Sequence, residues 1–305
     1  MTGATDGGAV YQMDVAAASH PGTERPHNED CCGVSVERVD CVVLGVADGV
    51  SSENGGEVAS QMAIEITLRA FREAAPEAGA GQRLYRAVQQ ANIDIHDRAI
   101  AVPELRGMAT TLTAVSVERG AMTAVHVGDS RLYLLRDGSI VQLTKDHTVA
   151  AEKARFGLIT RERARTHADR STLTRSVGHD LIVSRDRVTR QLMQGDVLVV
   201  CSDGLYNVLG DPEIAKIVAL RDAASAARAL IEAANARGTP DNVTAAVLRV
   251  VGPVGAVDAV PRGGLVARIR RLLGHGPFTR RWHPPVAAPA PARSATAAAA
   301  ASRSW

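Results

Sequence analysis

The sequence predicts an α+β fold in which antiparallel sheets carry helices on their outer faces. Three observations predict it. Short β-branched runs alternate with Ala-rich stretches up to about residue 252. Three of these runs, at 109–117, 121–127 and 131–136, follow one another through connections too short for a crossover helix, which reads as an antiparallel meander. The stretch 81–100 places Leu84, Val88, Ala91 and Ile95 on one stripe, the pattern of a helix lying on a sheet.

The individual elements follow from the same patterns. Strands are expected at 41–47 (CVVLGVA), 109–117 (ATTLTAVSV), 121–127 (AMTAVHV), 131–136 (RLYLLR), 197–202 (VLVVCS) and 243–250 (VTAAVLRV), with a further one at CGVSV. Long helices are expected at about 54–74 and 81–100. Between about 145 and 185 the chain turns polar and rich in Arg, His and Thr, which reads as an inserted flap, because loops of that length usually serve a site. A core domain therefore spans 1–252. The tail at 253–305 is rich in Pro, Ala and Arg and carries too few large apolar side chains to offset ordering entropy, so disorder is expected. Within it, Leu265, Val266, Ile269, Leu272 and Leu273 interleave with arginines as a short basic amphipathic helix at about 264–273.

Composition narrows the function classes. Hydrophobic residues make up 46% and charged residues 22%, the balance of a globular protein. The net charge of +2, with dispersed arginines and 3% aromatics, argues against an extended nucleic-acid surface. The four cysteines form no C-x-x-C pair and no disulfide framework, pointing to a reducing compartment. No apolar run approaches the roughly 20 residues that span a bilayer, and the first residues lack a signal-peptide pattern, so a cytoplasmic location is expected.

The informative feature is where the acids fall. Asp48-Gly49 follows one apolar run, Asp203-Gly204 another and Asp129-Ser130 a third, while Asp241-Asn242 immediately precedes a fourth. Any one Asp-Gly is a turn. Four such carboxylates brought to one end of a sheet would repel one another and need cations between them. Aspartate oxygens without a His/Cys set favour Mg²⁺ or Mn²⁺ over Zn²⁺. Glu29 and Asp30 add acids before CGVSV, and Arg25 nearby is a planar fork suited to phosphate, or else an ion-pair partner of a local acid.

The ordered set R-x-x-N-E-D at 25–30, A-D-G at 47–49, G-x-x-T-T-L at 107–112, V-G-D-S-R at 127–131, C-S-D-G-L at 201–205 and P-D-N-V-T at 240–244 resembles the bacterial metal-dependent protein serine/threonine phosphatases, the PPM or protein phosphatase 2C family. The resemblance covers about residues 12 to 250. It implies a four-layer α-β-β-α sandwich of two antiparallel sheets with helices on the outer faces, and two Mn²⁺ or Mg²⁺ ions at one edge between the sheets. It implies that Asp48 bridges the ions, that the Gly49 carbonyl, Asp203 and Asp241 complete their ligands, and that Asp30 acts directly and Glu29 through water. Asp129 with Asp203 would recruit a third, weaker ion, and Arg25 would hold the phosphoryl oxygens. The implied reaction is hydrolysis of phosphoserine and phosphothreonine on proteins by a water activated between the ions, opposing a bacterial Ser/Thr kinase.

Two departures from the family pattern bear on mechanism. Some members place a His after A-D-G to protonate the leaving alkoxide; here Val50, Ser51, Ser52, Glu53 and Asn54 follow, leaving a water held by the ions or His27 as the donor. The usual D-G-M-G-G-H form is also lost, though Gly55, Gly56 and Glu57 keep the loop-to-helix character. His126 reads as a core residue, and His147, His167 and His179 as flap residues without a metal role. Alternative readings are dephosphorylation of one small regulator, and a silent binding module, whose expected mark, loss of Asp30, Asp48, Asp203 or Asp241, is absent.

Overall fold

The computed structural model of the protein describes residues 11–50 and 55–253. The expected tail helix at about 264–273 and residues 51–54, including the segment that would carry a His after A-D-G, lie outside the described residues. Two antiparallel sheets are present. The first runs β1 (Tyr11–His20), β11 (Val243–Pro253), β10 (Val197–Cys201), β7 (Arg131–Arg136) and β8 (Ser139–Gln142). The second runs β2 (Asp30–Arg38), β3 (Cys41–Val50), β5 (Leu112–Glu118), β6 (Ala121–Val127) and β9 (Asp186–Gln191), with the short β4 (Ala109–Thr110) beside the end of β3.

The near-continuous apolar runs make sense because the central strands are covered on both faces. On β3, Val42, Leu44 and Val46 join β10 residues Leu198 and Val200 in one core cluster, while Cys41, Val43 and Ala47 join Ala59, Ala63 and Leu84 in another. Those last residues belong to α1 (Gly56–Glu73) and α2 (Ala80–Ala101). On the other sheet, Val197, Val199 and Cys201 alternate with Leu198 and Val200, and pack under helices that include α7 (Ala223–Ala236) through Leu230 and Ile231. The period of two along each strand thus builds three apolar seams, and these bind four layers in the order α-β-β-α. Among the described residues, no helix is long and apolar enough to cross a membrane.

The expected meander is corrected in part. β5 and β6 form a hairpin, with Leu112 opposite Val127 and Glu118 opposite Ala121, but β7 leaves for the other sheet and pairs with β10 and β8. The crossing is made by Gly128, Asp129 and Ser130. Gly128 takes φ +100°, and a Cβ there would lie 2.6 Å from the Thr111 side chain. The run at 109–117 is also interrupted: Thr111 leaves the ladder, its N–H donating to the Asp48 carbonyl at 2.8 Å and its Oγ1 accepting from the Asp48 N–H at 3.0 Å. Three strands, β1, β8 and β9, carry no strong apolar run and were not expected: β1 is rich in Ala and Ser, β8 is a four-residue edge, and β9 is a charged, largely exposed edge.

The insertion at 145–185 is ordered. It contains α3 (Val149–Arg155), α4 (Arg161–Arg165) and a 3₁₀ turn at Ala168–Ser171. Thr148 and Thr160 cap the two helices through their side-chain oxygens. The flap returns along β4 through the Thr110–Val177 bridge, and the buried Asn92 of α2 then receives it, accepting from Gly178 N–H and donating to the carbonyls of Asp180 and Leu181. Two short helices complete the set: α5 (Asp203–Tyr206) after β10, and α6 (Asp211–Val218).

Because Gly128 combines a positive φ with no room for a Cβ, Gly128→Ala is expected to destabilise the protein by more than about 1 kcal/mol in urea unfolding. A Gly→Ala change at Gly138, which has positive φ but open space, should cost less; equal costs would mean that the Thr111 contact is unimportant.

Candidate active site

The strand ends deliver the acids to one place. Asp30 opens β2 and lies directly opposite Asp48 near the end of β3. Asp203 begins α5 immediately after β10, and Asp241 precedes β11, which pairs with β10. Asp129 arrives from the crossing between the sheets. Asp48, Asp129, Asp203 and Asp241 line a single cavity of about 120 Å³ together with Val50 and Thr111, and Ser171 and Leu173 of the flap reach its wall. Asp30 sits behind them, 7% exposed; its Oδ2 accepts from Ser202 Oγ at 2.7 Å, while its buried Oδ1 has no hydrogen-bond partner.

Burial is the main reason Asp30, Asp48, Asp129 and Asp203 resist ionisation. It pushes Asp30 up from 3.8 to about 7, against the hydrogen bonds that favour its charged form, with Asp203 and Asp241 adding repulsion. Asp48 is raised well above the ordinary value by burial and then by Asp30, Asp203, Asp129 and Asp241. Asp129 is raised by burial and by Asp203, and Asp203 is pushed up to about 6 by burial and Asp241. Such a group is not a stable set of anions by itself.

Hard divalent cations fit this donor set. The lining is made of carboxylate oxygens, and the orphaned Asp30 Oδ1 is an unused acceptor in a dry position. Among the described residues, no three His, Cys, Asp or Glu side chains close by themselves around one ion. The aspartates ring a space instead, an arrangement suited to ions that keep part of their water.

The remaining expected residues are at the rim. Arg25 is about half exposed, and its NH2 donates to Asp241 Oδ2 at 3.1 Å, so its ion-pair partner is Asp241 and not Glu29. Glu29 packs its carboxyl beside Gly56 at the start of α1, and burial raises its pKa. Gly49 follows Asp48 with its N–H donating to the Glu29 carbonyl at 3.1 Å; a Cβ would come within 2.3 Å of the Gly56 carbonyl oxygen, so only glycine fits. His27 is exposed and is not part of the cavity wall. His126 is fully buried, between Thr113 Oγ1 and the Lys145 carbonyl, and burial holds it down to about 4.

Several residues that shape the site carry no charge and were not singled out in the sequence. Asn242 is the main one. Its Oδ1 accepts from Glu29 N–H, and its Nδ2 donates to the carbonyls of Pro21 and His27, so it staples the 21–29 loop to the start of β11. Ser202 links Thr244 N–H to Asp30. Thr111 ties Asp48 to Ser130, its Oγ1 lying 2.6 Å from Ser130 Oγ. For Asn242 and Ser202 the sequence signal was adjacency to an aspartate, in P-D-N and C-S-D; for Thr111 it was the G-x-x-T-T-L stretch.

Comparison with known proteins gives a consistent picture. The family profile described as Protein phosphatase 2C matches residues 18–247. The chain is 38% identical over 240 residues to the serine/threonine protein phosphatase PstP of Mycobacterium tuberculosis, covering 78% of this chain and 45% of that protein; it thus spans about half the length of this relative. It is 34% identical over 227 residues to the serine/threonine phosphatase stp of Listeria monocytogenes, covering 73% of this chain and 90% of that protein. Among solved structures, the catalytic domain of PstP in complex with two manganese ions superposes with a TM-score of 0.69 at 36% identity, covering 78% of this chain and 98% of that one.

The raised carboxyl pKa values carry a definite pH dependence. For an acid raised in the fold, the penalty is absent below the ordinary value of 3.8, grows as pH rises toward about 7 and is complete above it. In EDTA, Asp48→Asn is therefore expected to melt at a higher temperature than the parent chain at pH 8, with a smaller difference at pH 5. Mn²⁺ should raise the parent's melting temperature more at pH 8 than at pH 5. Thermal scans with the opposite ordering would show that the carboxylates are not the source of strain.

Proposed function

This chain belongs to the protein phosphatase 2C family, and from that premise we propose that it hydrolyses phosphoserine and phosphothreonine on proteins with two Mn²⁺ or Mg²⁺ ions. The observation that carries the reading is the single cavity ringed by Asp48, Asp129, Asp203 and Asp241, with Asp30 behind it and Arg25 at its mouth. When bound, the ions would supply charge neutralisation at the phosphoryl group and lower the pKa of a water between them.

The chain's own residues do the rest. Asp48 faces the other four aspartates and is the natural shared ligand; Asp30, Asp203 and Asp241, with the Gly49 carbonyl, would hold the pair of ions, and Asp129 with Asp203 a weaker third. Glu29 would act through water. The Arg25 guanidinium, half exposed at the cavity mouth and paired with Asp241, would present its planar fork to two phosphoryl oxygens. The Asn242 staple keeps Arg25 and Glu29 in register with Asp241. Water in the cavity would donate the proton to the leaving alkoxide, since His27 is exposed and outside the wall.

The physiological setting is part of the same reading: phosphoproteins of the cytoplasm as substrates, and a Ser/Thr kinase as the activity opposed. The likeness to PstP and stp supports it. The core is placed at 1–252, with the Pro/Ala/Arg-rich tail at 253–305 as a separate element.

Hydrolysis of phosphothreonine and phosphoserine peptides is expected to rise with Mn²⁺ or Mg²⁺ and stop in EDTA, with phosphotyrosine peptides much poorer. Asp203→Ala should abolish turnover. Arg25→Ala should lower kcat/KM by roughly 10–100-fold, the loss of a charged hydrogen-bonding pair, while Mn²⁺ binding by calorimetry stays near that of the parent. Metal-independent turnover, or full activity in Asp203→Ala, would sink the reading.

A further inference from the structure

We propose that His147 is a positioning residue that locks the Asp129-bearing crossing to the base of the flap, so that the weaker cation site and the flap wall depend on one side chain. The proposal rests on the function given above, because it takes Asp129 as a ligand.

His147 is 2% exposed and stands where the flap leaves the sheet. It holds both peptide groups of Gly128, the residue before Asp129. Its own N–H donates to the Gly128 carbonyl at 2.8 Å, and its ring Nδ1 accepts from the Gly128 N–H at 3.1 Å. An accepting Nδ1 leaves the ring proton of the neutral imidazole on Nε2. That nitrogen faces Asp186 Oδ2 of β9 at 3.3 Å and lies 3.2 Å from Arg175 Nη1 on the returning leg of the flap. Arg175 donates to the other Asp186 oxygen at 3.0 Å. Burial, and then Arg175, keep the imidazole below its ordinary pKa, in keeping with the neutral form.

The two legs of the flap also meet at this residue. The His147 carbonyl accepts from Thr174 N–H at 2.8 Å, and the adjacent Thr148 bridges to Leu173. Leu173 and Ser171 are the flap residues that line the aspartate cavity. A short run of bonded groups therefore leads from Asp129 through Gly128 and His147 to the cavity's flap wall. On the opposite side Gly128 rests on Thr111 and has no slack. Apolar packing would use neither ring nitrogen; here Nδ1 engages the crossing and Nε2 meets the Asp186–Arg175 pair of β9 and the returning flap, which is what a positioning role requires.

The test uses the full chain and separates the two nitrogens. His147→Gln, whose amide reaches toward Asp186 but not Gly128, is expected to weaken by about tenfold the weaker Mn²⁺ binding event in calorimetry, the loss typical when a ligand's supporting partner is removed. Asp129→Ala should abolish that event, and adding His147→Gln to it should change nothing more. His147→Asn, which keeps an acceptor near the Nδ1 position, should restore Mn²⁺ binding while amide exchange at Thr174 and Val177 stays faster than in the parent. Asp186→Asn, at a partly exposed site that should not impair folding, should likewise speed exchange in the flap. If the wild-type chain shows no weaker event removable by Asp129→Ala, or if His147→Gln leaves that event unchanged while only the melting temperature falls, the proposal is overturned. Should the His147 variants fail to fold, unchanged flap exchange in Asp186→Asn overturns it. Lack of phosphatase activity would refute the proposed function without altering these binding and exchange readouts.

Discussion

The burial of mutually repelling carboxylates governs this structure. Five aspartates from five chain segments are brought to the line where two sheets meet, and Asp48 feels the other four. Without a counter-charge the arrangement costs stability, so the four-layer fold stores unfavourable electrostatics at one edge. The three apolar seams offset that cost, and they do so away from the site. A hard cation converts the same repulsion into affinity, because every oxygen that raises its neighbour's pKa is also an available ligand.

Uncharged residues keep the acids from relaxing apart. Thr111 leaves its ladder to hold the Asp48 peptide, Ser202 fixes one oxygen of Asp30, and Asn242 gathers the 21–29 loop with three hydrogen bonds. Each satisfies a backbone group near a carboxylate, so the loop geometry does not depend on the carboxylates pairing with one another. Arg25 belongs to the same logic at the rim: its ion pair with Asp241 sets a cation against one of the carboxylates and holds a guanidinium at the mouth.

The flap is anchored from three sides and is not a loose excursion. Arg131 of β7 bonds Asp146 through two nitrogens and lies 3.6 Å over the Tyr206 ring, Asn92 receives the returning leg, and His147 joins both legs to the crossing. These anchors sit at its base, whereas Phe156, just after α3, and several arginines of α3 and α4 are exposed. A rigid base under an exposed tip suits a segment that forms part of a cavity wall.

The central strands and the charged part of the site were legible in the sequence because each depends on local signals. Doubly buried strands such as 41–47 and 197–202 must be apolar at every position, and an Asp-Gly after such a run marks a strand end. The edge strands β1, β8 and β9 were not legible, since an edge needs neither continuous apolarity nor alternation. Nor could the sequence distinguish a hairpin from a change of sheet after 127: the same V-G-D-S serves both, and only the three-dimensional course shows β7 pairing with β10. The partners of neutral residues were hidden for a similar reason. Asn242, Ser202 and His147 act through hydrogen bonds to backbone groups distant in the chain, and a backbone N–H carries no residue identity that a sequence can display. The order and kind of the acids were thus set by the chain alone; their convergence, the pairing of Arg25 with Asp241 and the anchoring of the flap were decided by packing, because only the folded layers bring those distant groups within bonding distance.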